Sequence, residues 1–222
     1  MTNRNNMTEK KIPTVTQMKE YRQMRKTMTS QADYDKVLAF EQEYDVFTQV
    51  YSENGKLGVK DAIGEVLVPA MFDEIAYTYS DSCRGFAVPV IKDGKMALVA
   101  PDGKGTMLTE AIYDQIRFCD CSFILYKDGK QGLATGGGLV VVPAEMDEVF
   151  LPMNDLVVFT KDGKNGFAMS GTGLITEAEY DDFEITDYEY VKVFKNGEEG
   201  YIDEEGHFTT DEDMRFFHAD VD

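Results

Sequence analysis

Four aspartates stand at one place in a recurring phrase: Asp73 in FDEI, Asp114 in YDQI, Asp147 in MDEV and Asp181 in YDDF. A row of carboxylates brought into register could collect a divalent cation or a basic partner, since calcium takes oxygen ligands. Each ion would need several converging oxygens, however, and the chain has no D-x-D-x-D-G loop. The competing reading, which we favour, is an Asx-turn in which each Asp accepts backbone N–H groups and closes its unit.

The other reactive residue types are sparse. Cys119 and Cys121 form a C-x-C that, on a strand, puts both thiols on one face. With Cys83 they make three soft ligands, one short of a closed zinc site, so buried structural cysteine is the simpler role. His207 and His218 are the only histidines, and both read as surface residues. The glycine runs GGG (136–138) and GTG (171–173) are turn geometry, because PDGKGT (101–106) has Leu98 where a phosphate-binding loop needs its first glycine. No catalytic residue, metal or cofactor is expected.

What must position the four aspartates is a repeated turn. KDGK occurs at 92–95, 127–130 and 161–164, with ENGK at 53–56 and KNGE at 195–198. Asn-Gly and Asp-Gly signal type I′ hairpins, whose two central residues need φ > 0. The turn glycines Gly55, Gly94, Gly129, Gly163 and Gly197 are spaced 39, 35, 34 and 34 residues apart, a repeat architecture. Each turn leads to a small residue (Gly58, Ala97, Gly132, Gly166, Gly200), a second glycine turn, a β-rich run and the aspartate phrase. The fifth copy ends in MRFF (214–217) and reads as degraded. Lysines Lys92/Lys95, Lys127/Lys130 and Lys161/Lys164 should line one edge, where lysine keeps strand edges from pairing with another chain.

These features resemble the WG-repeat family, whose units run roughly G-K-W-G-Y-I, G-K-x-V-I-P and Y-D-E, over about residues 46–217. The chain has no Trp; Leu57, Met96, Gln131, Asn165 and Glu199 hold that position. The resemblance implies stacked β repeats and, where the family's role is considered at all, protein interaction. Those five variable positions are the candidate interaction surface, with the later, polar ones facing solvent.

The expected fold is mainly β: tandem antiparallel hairpin repeats, with an open twisted array favoured over a five-bladed propeller because about 35 residues is short for a four-stranded blade. Residues 1–13 are expected to be disordered and 218–222 to form an acidic tail. Residues 14–45 are expected to be helical: TVTQ after Pro13 resembles a capping box, and Met18, Tyr21, Met24 and Met28, then Tyr34, Val37 and Leu38, recur at helical spacing. Such a segment could cap the first repeat.

Charge bounds the function. The chain carries −19, divided between +5 in residues 1–30 (7 Lys/Arg, 2 Asp/Glu) and −24 beyond (15 against 39). An acidic body should repel nucleic acid and anionic membrane. Three cysteines without a disulfide framework, and no apolar leader or long apolar run, fit a cytoplasmic protein. The reading is a non-enzymatic module for an unidentified protein partner. Two alternatives stay open: a carbohydrate or small-molecule binder or hydrolase using carboxylates between repeats, and an immunity-type inhibitor of a basic protein.

Overall fold

The computed structural model describes residues 10–76, 85–119, 121–153, 156–169, 175–186, 190–203 and 206–211. Cys83, His218, the second-turn glycines Gly171 and Gly173, the MRFF phrase and the tail 218–222 lie outside them. The chain divides into two compact units, 1–111 and 112–222.

The first unit opens with two helices, α1 (Val15–Thr27) and α2 (Gln31–Glu43). Thr14 caps α1 in the expected capping box, its backbone N–H donating to Gln17 Oε1 while the Gln17 N–H donates to the Thr14 hydroxyl. Ser30 caps α2, accepting from Asp33 N–H. Met18, Tyr21, Val37 and Val46 are buried together, with Met24, Met28, Phe40 and Ile63 packed on them. The face of α2 differs from the expected stripe: Tyr34 and Leu38 are 49% and 39% exposed. Val37 is buried as expected, with Phe40 and Tyr44 beside it in place of the other two, and Phe40 stacks on Tyr21 and Tyr44 at ring distances of 4.9 and 4.5 Å. Within the segment expected to be disordered, residues 10–13 are tied down: Lys11 forms a parallel bridge with Tyr44, its N–H donating to Glu43 C=O and its C=O accepting from Asp45 N–H.

The helices rest on the first repeat. Arg22 pairs with Asp61 at 2.7 Å, and the Asp61 side chain is wholly buried. Asp61 Oδ1 also accepts the N–H groups of Ile63 and Glu65, closing the second glycine turn.

Among the described residues there are 17 strands in five antiparallel sheets, each ordered as the chain runs. The first unit holds β1 (Gln49–Glu53), β2 (Lys56–Lys60) and β3 (Val66–Phe72), then β4 (Glu74–Ile75), β5 (Val88–Lys92) and β6 (Lys95–Val99). The second holds β7 (Gln115–Cys119) to β10 (Val140–Met146) through β8 (Ser122–Lys127) and β9 (Lys130–Thr135). It continues with β11 (Glu148–Met153), β12 (Leu156–Lys161) and β13 (Lys164–Met169), and ends with β14 (Asp182–Thr186), β15 (Tyr190–Lys195), β16 (Glu198–Ile202) and β17 (Phe208–Thr209). All five hairpin turns have the predicted backbone: Asn54, Asp93, Asp128, Asp162 and Asn196 lie at φ +50 to +55, and the glycines after them at +76 to +84.

Sheets stack through apolar faces. In the first unit Val59, Leu67, Val68 and Phe72 of one sheet meet Val88, Val90, Ala97 and Val99 of the next. In the second, β12 serves two cores: Val157 and Phe159 pack with Leu133, Val142 and Met146, while Leu156 and Val158 pack with Val191, Val193 and Ile202. Its continuous apolar run, LVVF, is the pattern of a strand covered on both faces. No described helix is long and apolar enough to cross a membrane.

Candidate functional site

Asp73 and Asp147 are each the single residue between the last strand of one sheet and the first strand of the next, β3 and β4 or β10 and β11, and Asp114 and Asp181 stand immediately before β7 and β14. The phrase after each aspartate therefore opens the following sheet rather than closing its own unit. The carboxylate joins the two. Asp147 Oδ1 accepts from Lys130 Nζ, in the hairpin turn behind it, at 2.5 Å. Its Oδ2 accepts the N–H of Asp162, in the turn ahead, at 2.8 Å, while its own N–H donates to Thr160 C=O at 2.8 Å.

Asp73 and Asp181 repeat this with Lys56 and the Asp93 N–H, and with Lys164 and the Asn196 N–H. Asp114 accepts from Asp128 N–H at 2.7 Å and donates to Tyr126 C=O at 2.8 Å. The expected Asx-turn is thus corrected: the bonded N–H groups lie 14 to 20 residues away, in the next hairpin. The lysine hydrogen bond is the main reason that Asp73, Asp147 and Asp181 are held below the ordinary aspartate range and Lys56 and Lys130 above the lysine value. The lysines are therefore engaged, beyond any role in guarding an edge.

Residues beside the corners add further links. Gln131 Oε1 accepts from Val149 N–H at 3.1 Å, Asn165 Nδ2 donates to Asp181 C=O at 3.5 Å, and Lys161 and Lys195 pair with Glu145 and Glu179 at 3.7 and 2.6 Å. Gln131 and Asn165 belong to the expected interaction surface, and the structure does not make that set one exposed face. Met96 is buried and Leu57, Gln131 and Asn165 are half-buried, while Glu199 is exposed and paired with Lys192 at 2.7 Å. Leu57, Gln131 and Asn165 sit across from Phe72, Met146 and Tyr180, the residues just before the corner aspartates.

The cysteines are also placed differently from the strand reading. Cys119 ends β7, and Cys121 lies exposed in the following turn at φ +64, so the two do not share a strand face. Among the described residues no three His, Cys, Asp or Glu converge to hold a metal ion. His207 is exposed as expected, with Asp203 3.9 Å away.

The surface feature that sequence reasoning missed lies six or seven residues before each corner aspartate. Val66, Met107, Leu108, Val140 and Ile175 are all 37–43% exposed. Exposed carboxylates follow in three of the repeats, at Glu110, Glu145 and Glu177. Met107 and Leu108 line a groove of about 520 Å³ with Thr109, Ala111, Lys92, Asp93 and Glu110. This segment is tied to β6: Met107 bridges Val99, the Leu108 N–H donates to Leu98 C=O at 2.8 Å, and the Thr109 hydroxyl accepts the Leu98 N–H at 2.9 Å, as the Thr176 hydroxyl accepts the Phe167 N–H in the second unit.

No family model matches the chain, and no curated protein matches it. Among solved structures, it is similar to Hsv2 of Kluyveromyces lactis at 13% identity and TM-score 0.33, over 66% of this chain and 54% of that one. A eukaryotic initiation factor aligns at 14% identity and TM-score 0.34, covering 68% and 45% respectively. PorZ, a component of the type-IX secretion system of Porphyromonas gingivalis, aligns at 8% identity and TM-score 0.24, covering 73% and 25%. The chain spans about half the length of the first of these, and likeness at this level says nothing of function.

Proposed function

We propose that this chain is a non-enzymatic repeat scaffold that binds a protein partner through the outer segments of its sheets. The observation that carries this reading is the recurrence of exposed apolar side chains, Val66, Met107 with Leu108, Val140 and Ile175, at one place in successive repeats. Around them the corner aspartates, turn lysines and glycines are spent on structure. A repeat protein that fixes its frame and repeats a contact residue suits protein recognition. The neighbouring carboxylates and the body charge of −24 (15 Lys/Arg against 39 Asp/Glu) fit a partner whose apolar contacts are flanked by Lys or Arg. A cytoplasmic setting accords with the free thiols.

The test is capture from the source cell with the wild-type chain and with a Met107→Ser/Leu108→Ser/Val140→Ser/Ile175→Ser variant. A partner kept by the wild type, lost by the variant and weakened by salt supports the proposal. A partner retained equally by a folded variant overturns this surface. The groove at Met107 and Leu108 favours the second reading, a small-molecule site, if the purified chain holds a ligand that the variant releases.

A further inference from the structure

A partner for the outer segments needs apolar contacts flanked by Lys or Arg, and the chain itself carries such a stretch. Residues 10–19, KKIPTVTQMK, hold three lysines and no acid. The stretch is fixed in place: Lys11 bridges Tyr44, Thr14 caps α1, and Lys10 Nζ donates to Glu41 C=O at 2.7 Å while standing 5.9 Å from the centre of the Phe47 ring. Lys11 is paired with Glu43, so Lys10 and Lys19 supply the positive charge. Beside them Ile12 is 70% exposed, and Val15 and Phe47 are exposed as well.

The second unit offers the complement. Residues 112–222 have 8 Lys/Arg against 25 Asp/Glu, or −17, where residues 1–111 have 14 against 16, or −2. Leu139 is 66% exposed next to the exposed Val140, with the exposed Glu145 further along β10, and Ile175 with Glu177 recurs in the next repeat. Among the described residues Ile12 and Leu139 are the two most exposed large apolar side chains. One belongs to a basic stretch and the other to an acidic unit.

We propose that residues 10–19 of one copy dock on the outer segments at Leu139, Val140 and Ile175 of a second copy. This rests on the binding role proposed above for those segments. The apolar side chains cover one another, while Lys10 and Lys19 meet the carboxylates of Glu145 and Glu177. Two chains of −19 repel at long range, but at about 0.15 M salt charges more than about 8 Å apart are largely screened and contact pairs are not. Because the contact joins two different surfaces, each added copy still offers one of them, and association runs beyond a pair or closes a ring.

Sedimentation equilibrium of the full chain at about 0.15 M salt tests this. The weight-average mass should rise about twofold or more above the 25.0 kDa monomer as concentration passes from roughly 1 to 300 μM. Ile12→Asp, Val15→Asp and the double variant Leu139→Lys/Ile175→Lys, each checked for folding by circular dichroism, should stay monomeric; Val15→Asp places an acid in the first turn of α1, where the helix favours it. Mixing Val15→Asp with the double lysine variant should restore a one-to-one pair and nothing larger, since each brings one intact surface. A monomeric wild type, a folded variant that associates like wild type, or a mixture that stays monomeric would overturn the proposal. If the wild type is monomeric yet captures another protein through these segments, self-association fails and the proposed function stands.

Discussion

Gly132→Ala isolates the packing that a corner demands. Gly132 lies on β9 where β10 bulges through Val142, Pro143 and Ala144, two extra residues between the pairs Leu133↔Val142 and Gln131↔Met146. A Cβ built there would stand 2.6 Å from Ala144 N, 2.6 Å from Val142 O and 2.7 Å from Pro143 C. All three are backbone atoms, so no side chain can swing aside. The strands must part, and the core of Leu133, Val142 and Met146 opens with them. Overpacking of this kind costs about 2–3 kcal/mol. Alanine also restricts the unfolded chain, which returns about 0.4–1 kcal/mol. The net loss is about 1–2.5 kcal/mol, or roughly 2–10 °C in melting temperature for a chain of this size. Thermal unfolding followed by circular dichroism, with urea midpoints beside it, measures this. Gly137→Ala is the control, because its nearest neighbour would be Thr135 Oγ1 at 3.8 Å, and it should melt with the wild type or slightly above. A Gly132→Ala protein as stable as wild type would refute the close-approach reasoning, and Gly132→Val should be worse than Ala.

Three further outcomes are expected. Asp73, Asp147 and Asp181 have folded pKa values held down mainly by their lysines, so they contribute stability that is present above the ordinary aspartate pKa and lost as pH falls through the lowered values. The triple Asp→Asn variant should therefore be weaker at neutral pH but lose less between pH 7 and about pH 3 in urea titrations, and an unchanged slope would count against the clamps. Arg22→Met leaves the Asp61 carboxylate buried without its cation, and should cost on the order of 3 kcal/mol and release amide protection across residues 15–27 in hydrogen exchange. Unaltered protection would show that the helices do not depend on this pair. The Tyr180 hydroxyl is buried without a hydrogen-bond partner among the described residues, and burial pushes its pKa up to about 12. Tyr180→Phe should raise stability by about 1–3 kcal/mol in denaturant unfolding, and destabilisation would reveal a partner for that oxygen.

Much of the frame was legible in the residue order because its signals are local. A type I′ turn is decided by two adjacent residues, and the five hairpin Asn-Gly and Asp-Gly pairs took the backbone their chemistry favours. Thr14 and Ser30 likewise marked helix starts through bonds three residues long. The alternation of β-rich runs and glycine turns fixed an antiparallel, mainly β body.

What the order of residues left open depends on contacts between elements. The corner aspartates look like turn residues until the next hairpin arrives 14 to 20 positions later and offers its N–H, a partner no local rule can name. The inward face of α2 was misread because Phe40 gains its value only against Tyr21 of another helix. Leu57, Gln131 and Asn165 read as a surface because they vary between repeats, but variability does not say what lies opposite, and pairing in the folded chain sets them across from Phe72, Met146 and Tyr180. Exposure at Met107, Leu108 and Ile175 was equally hidden, since it depends on how Thr109 and Thr176 bond each segment to the strand beside it. Turn and cap chemistry act over a few residues and can be read in one dimension; burial is a property of the assembled sheets.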